Sequence, residues 1–317
     1  MESVFRISRL SAMLAGLLAA SLCGRAMAQR PGQQTFSSPQ AAAAALFQAM
    51  QRNDESAMLR ILGSDARRIV SSGDPVEDAS TRANFVQRYR QMHRLVHEPD
   101  GTTSLYVGAE NWPVPIPLAR TAHGWYFDTE AAKREILYRR VGRNELSAIR
   151  VCEELAAAEK EYHALRGVYA EKIFSDARRH NGLYWQAAVG ESKSPIGPLV
   201  ASAVAEGYTP ERGGVPTPYR GYYFRTLVRQ GPNGAGGARS YLSGSEMTGG
   251  FAFVAYPAAY RSSGVMTLIV GTDGVVYQKD LGKETARIAA TMKTYDPDAS
   301  WRRANDETPT ASAEPHH

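Results

Sequence analysis

The residues in this chain that could do chemistry are few and scattered. His93 and His97 stand four apart with Glu98 beside them, a spacing that puts both imidazoles on one face of a helix, where they could fill two positions around zinc. A catalytic zinc needs a third ligand, and the glutamate that zinc-protease helices carry between their histidines is missing. Two histidines on a polar helix end read more simply as solvated side chains, so neither a metal nor another cofactor is expected.

Nucleophiles fare no better. Gly190-Glu191-Ser192-Lys193-Ser194 has a serine where a hydrolase elbow needs its second glycine. Cys152 could in principle pair with His163 or His180, but it lies in a helical, apolar pattern that suits a core cysteine. The Gly234-Ala235-Gly236-Gly237 run does not open a helix, whose N–H groups a dinucleotide phosphate would require. Gly282-Lys283-Glu284-Thr285 lacks the earlier glycine of a P-loop, and Asp296 and Asp298 follow a helix rather than a strand.

What remains is aromatic and polar. Trp112, Trp125, Tyr184, Trp185, Tyr219, Tyr222 and Tyr223 fall near turns, where aromatic faces can bind sugars, peptides or a partner strand. The competing and weightier reading of the same residues is core filling between two halves of the protein. Arg140 and Asn144, with Glu145, sit at an expected helix bend, which they could fix by hydrogen bonds or use to hold a ligand. The candidate binding residues are therefore Trp112, Arg140, Asn144, Tyr184, Trp185 and Tyr222. A second possibility is acid–base chemistry in a first-half pocket built from His93, Glu110, His123 and Tyr126.

The elements that must position these residues divide the chain into an α+β fold. Ser38 and Pro39 open a helix whose face is Ala43, Leu46, Phe47 and Met50. A short helix follows Asp54. A third, with the stripe Phe85, Tyr89, Met92 and Val96, follows the turn at 71–75. Strands are expected at Ser104–Val107, Val114–Leu118 and Trp125–Asp128. Helices followed by a small antiparallel sheet are the order of a nuclear-transport-factor-like cone, a likeness of fold that implies a pocket and no chemistry.

The predicted divisions are a first unit at 37–141, a helical connector at 142–181 bent at Gly142, and a second, β-rich unit at 182–297. In that second unit Ile196–Ala205 is a helix. Gly221–Arg229, Gly250–Tyr256 and Val265–Gly271 are strands, and Asp273-Gly274 marks a two-residue hairpin turn. Leu281 to Tyr295 reads as a closing helix, and 298–317 as a disordered tail. This antiparallel meander is similar in architecture to the C-terminal sheet of some pilin-like proteins.

Several strings occur together in the second half: Gly182-Leu183-Tyr184-Trp185, Ser194-Pro195-Ile196-Gly197-Pro198-Leu199, Tyr219-Arg220-Gly221-Tyr222-Tyr223-Phe224 and Gly250-Phe251-Ala252-Phe253-Val254-Ala255-Tyr256-Pro257. With Asn111-Trp112-Pro113-Val114-Pro115 and Arg139-Arg140-Val141-Gly142-Arg143-Asn144-Glu145 upstream, the chain resembles the bacterial domain of unknown function family numbered 2950, from about Phe36 to Trp301. One departure is Arg261, where a glycine is expected. The resemblance implies an exported bacterial protein and supplies no catalytic residues.

The N-terminus supports export independently. Arg6 and Arg9 precede the apolar run from Leu10 to Leu22, and Ala26-Met27-Ala28 is a signal-peptidase site that predicts residues 1–28 as a signal peptide and 29–36 as a flexible leader. The apolar run is shorter than the ~20 residues a membrane span needs. Cys23 follows Leu22, not the small residue a lipoprotein signal requires, so Cys152 is left alone and no internal disulfide can form. Without residues 1–28 the net charge falls from +5 to +3, with basic residues dispersed, which argues against nucleic acid as a partner. The expected partner is another envelope protein or a polymer. No transmembrane segment is expected in the mature chain, and the sequence leaves its oligomeric state open.

Overall fold

In a computed structural model of the chain, the residues described are 30–188, 190–209 and 217–305. The expected signal peptide lies outside them, as does the tail from 306 onward. In chain order the elements are α1 (Pro39–Gln51), α2 (Glu55–Leu62), α3 (Arg67–Val70), α4 (Pro75–Gln91), β1 (His93–His97), β2 (Thr103–Val107), β3 (Trp112–Pro113), β4 (Leu118–Thr121) and β5 (Gly124–Phe127). Then come α5 (Thr129–Arg166), β6 (Lys172–Phe174), β7 (Gly182–Tyr184), α6 (Gly197–Ala205), β8 (Tyr222–Leu227), β9 (Arg229–Gln230), β10 (Arg239–Ser240), β11 (Leu242–Ser243) and β12 (Glu246–Met247). The chain closes with β13 (Ala252–Pro257), β14 (Thr267–Gly271), β15 (Val276–Lys279), α7 (Thr285–Thr291), β16 (Thr294–Tyr295) and β17 (Arg302–Arg303). The fold is α+β, helical first and antiparallel later.

The first helices begin where their caps dictate. Ser38 Oγ accepts from Ala41 N, Asp54 Oδ1 from Ala57 N, and Asp74 Oδ1 from Val76 N and Glu77 N, each satisfying an N–H that the first turn leaves free. Their apolar faces pack on a sheet ordered β1-β2-β4-β5, with β3 paired to β2. Leu46, Met58, Leu118 and Phe127 are almost wholly buried in one cluster, and Ala43, Tyr89, Leu105 and Val107 in a second. Truncating one of the large residues to alanine costs about 2–5 kcal/mol.

Several expectations are corrected here. His93 and His97 lie on β1, not on a helix, because residues 93–97 pair one for one with 107–103 of β2, and cross-strand pairing outweighs the helical stripe. The expected strand at 114–118 is displaced to both sides, since Pro113, Pro115 and Pro117 supply no N–H to a ladder. The leader is docked within its described part: Gln33 Nε2 donates to Ile61 O and Phe127 O, and Phe36 bridges to Trp125.

Gly142 does not break the long helix. α5 runs 38 residues through it, with open space where a β-carbon would be. The local cost of about 1 kcal/mol is outweighed by the buried stripe Ala148, Val151, Cys152, Leu155, Ala156 and Tyr162 that α5 lays against the second-half sheet. The helix therefore carries the chain from one half into the other without a break.

That second sheet is ordered β17-β15-β14-β13-β8 and is antiparallel throughout. Its two central strands, β13 and β14, are buried at every residue. The Asp273-Gly274 turn is not the two-residue hairpin expected. Gly274 N bonds Gly271 O and only Gly274 has a positive φ, of 74°, so the turn carries a glycine bulge after its corner. The closing helix is shorter than predicted, stopping at Thr291, because Tyr295 turns inward on β16 beside β9. The ordered chain also passes the expected boundary at 298, with β17 pairing to β15.

Candidate functional site

The polar residues singled out around the helix α5 bind the protein to itself. Arg140 donates to Arg68 O and Ile69 O at 2.6 and 2.7 Å, and Asn144 Nδ2 to Ser263 O and Glu77 Oε2 at 3.1 and 3.2 Å. Glu145 Oε1 accepts from Val265 N and Met266 N. Asp74 uses its second oxygen to accept from Tyr208 Oη at 2.9 Å and Gly221 N at 2.8 Å. This junction joins the α3–α4 turn to the loops flanking the second sheet, and Arg140 and Asn144 serve it as internal ties.

The aromatic candidates separate. Tyr222 is fully buried, its hydroxyl donating to Met266 O. Trp185 is buried, donating from Nε1 to Ser192 O and stacked on His180. Tyr184 is half-buried against Phe174. Trp112 is 49% exposed, with the Arg88 guanidinium 4.4 Å above its ring. The structure does not bring the six together, and it assigns Tyr222 and Trp185 to the core.

The acid–base set is not assembled either. His93, Glu110 and His123 are exposed, whereas Tyr126 is buried with its hydroxyl unpartnered and its pKa raised by burial. Between the first-half helices and sheet the space is occupied by the apolar clusters already described. Among the described residues, no three His, Cys, Asp or Glu side chains gather where a metal could sit. Cys152 is buried, and burial pushes its thiol pKa up, away from the thiolate.

A cleft of about 300 Å³ opens instead in the second half. Its walls are Val151 and Leu155 of α5, Ile173 and Phe174 of β6, Leu199 and Val200 of α6, and the run Tyr223–Thr226 of β8. Glycine and proline open α6, which stands over the cleft with Val200 buried and Val204 half exposed at its mouth. Among the described lining residues there is no carboxylate, imidazole or thiol. Burial raises the pKa of Tyr208, Tyr219 and Tyr256, which keeps these phenols protonated.

The cations at the cleft are Lys172, paired to Asp176, and Arg225. Arg225 Nη2 donates to Ala289 O and Met292 O at the end of α7, while its Nε is buried without a partner. The arrangement can hold an apolar group. The sequence placed β8 and α6 close to where they are and marked Tyr219 and Tyr223 as aromatic residues near turns. It gave no sign that α5, β6, α6 and β8 meet around a cleft, because that is set by packing between distant segments.

Comparison with known proteins is consistent with this geometry and adds no chemistry. A family model described as a protein of unknown function (DUF2950) matches residues 33–304, nearly all of the described chain, so the chain belongs to that family. No curated protein and no solved structure matches it. No helix among the described residues is long and apolar enough to cross a membrane.

Proposed function

For this member of the DUF2950 family, we propose a non-catalytic binding module of the bacterial envelope, exported by the signal peptide and cleaved after Ala28. Its working site is the second-half cleft. The observation that carries the reading is the composition of that cleft: apolar walls from four separate elements, with no carboxylate, imidazole or thiol among the described lining residues. Concave, mostly apolar sites with one or two placed polar groups are what ligand recognition requires. Exposed apolar residues at the mouth, such as Val204, fit an occupant that covers them.

The reading is tested by titrating the mature protein with anilinonaphthalene sulfonate, an apolar anion. Saturable binding is expected in the wild type. It should be lost in Ala203→Trp, which fills the cleft mouth from α6 without touching the core. Equal dye binding by both proteins, with their thermal unfolding unchanged, would remove the cleft as the site.

A further inference from the structure

We infer that the occupant of this cleft is an extended peptide, added as a further strand to the open edge of β8. The inference rests on the cleft being the binding site and specifies what enters it. Along β8, backbone groups alternate between the two sides of the strand. Tyr222 faces outward, since its N and O bond Tyr219 O and N at 3.1 and 2.8 Å across the tight turn at Arg220-Gly221, where φ is 49° and 80°. Gly221 faces inward, its O accepting from Ala258 N. Phe224, Thr226 and Val228 must then face outward with Tyr222, while Tyr223, Arg225 and Leu227 face β13.

Both ends of this outer edge are closed. Tyr219 covers Tyr222, and Val228 N bonds Lys293 O ahead of the β9–β16 pairing. Between them, no described strand pairs with β8 at Phe224 or Thr226. The open interval from Tyr222 to Val228 spans about 20 Å. Tyr223, Phe224, Arg225 and Thr226 all line the cleft. Consecutive strand residues point to opposite faces, so a cavity touching all four wraps the edge itself, and the outward N–H and C=O groups of Phe224 and Thr226 lie within it.

Proteins shield such edges with lysine, proline or a bulge. Here the pairing with β13 runs without a bulge from Tyr222 to Leu227, and the one charge in the interval, Arg225, is tied to α7. An acyl chain or sugar ring could fill the volume but would leave the four backbone groups without the alternating donors and acceptors they need. An extended peptide supplies both. Its alternate side chains would meet Phe174, Leu199 and Val200. The partner is thus a segment of alternating apolar residues.

The test selects peptides from a displayed library of random nonapeptides against the full mature protein. Hydrogen exchange resolved to single amides is then followed with the selected peptide bound. Phe224 and Thr226 amides should exchange fast in the free protein and slowly in the complex, while Tyr223 and Arg225 are slow in both. Thr226→Pro removes one outward N–H at a position where an edge strand tolerates proline. It should weaken the peptide roughly three- to tenfold, whereas Thr226→Val, which keeps that N–H, should bind the peptide as the wild type does. Peptides that bind without slowing Phe224 and Thr226, or a failure to select any while the dye still enters, would overturn the strand but spare the binding cleft. Protection that grows with protein concentration alone would make a second copy the occupant and equally overturn the inference. Loss of both dye and peptide binding would show that the cleft reading itself had failed.

Discussion

Glu159 offers a quantitative test of how the second half is packed. Its carboxyl is fully buried on α5; Oε2 accepts from Ala170 N at 2.9 Å and Oε1 has no partner. Burial pushes its pKa from 4.5 up to about 8, with the Ala170 N–H pulling the other way. The folded protein therefore holds this proton when the unfolded chain has released it. Below pH 4.5 both states are protonated and the carboxyl costs nothing; as pH rises toward 8 the unfolded state is increasingly favoured, and above 8 both are ionised. Over that interval, at about 1.4 kcal/mol per pH unit, the lost stability reaches about 5 kcal/mol. Glu159→Gln keeps an oxygen for Ala170 N and cannot ionise. Urea unfolding from pH 5 to 9 should show wild-type stability falling and the variant's falling less. The variant should match or trail the wild type at pH 5 and exceed it at pH 8.5 by several kcal/mol. Identical slopes in the two proteins would refute the buried, protonated carboxyl.

Three other outcomes follow from the junction, the core and the N-terminus. Asp74→Ala removes an acceptor from Val76 N, Glu77 N, Tyr208 Oη and Gly221 N together. It should cost about 3–5 kcal/mol in chemical denaturation and loosen both halves; a loss under 1 kcal/mol would mean the junction is not a stabilising tie. Cys152 should resist thiol reagents at pH 8 in the native protein and react once denatured, because burial disfavours its thiolate; prompt native labelling would contradict its place in the core. Mature protein from an expressing bacterium should be released by osmotic shock with Gln29 as its first residue, and an uncleaved N-terminus would argue against export through the signal peptide.

Local chemistry was legible in the sequence wherever a short-range rule decides the structure. Ser38-Pro39, Asp54 and Asp74-Pro75 open helices where capping places them, and β8, β13 and β14 fall close to their apolar runs. Where long-range pairing or packing decides, local signals misled. His93–His97 continue a helical stripe but pair with β2, and Gly142 looks like a break but sits in open space on a helix held by its buried stripe. Arg140 and Asn144 were visible as polar residues of unusual context, yet their partners Arg68, Ile69, Glu77 and Ser263 lie 67 or more positions away. The cleft was invisible for the same reason: α5, β6, α6 and β8 meet there only in the folded chain.

The central claim is that this cleft holds a partner in the living cell. The most direct measurement places a photo-reactive residue at Val204, at the cleft mouth, and another at Leu242, exposed on β11 and outside the cleft lining. Each is irradiated in cells, and the products are identified by mass spectrometry. A discrete adduct from position 204 is predicted, absent from 242 and lost when Ala203→Trp is added. No adduct at 204, or the same adducts from both positions, would contradict it.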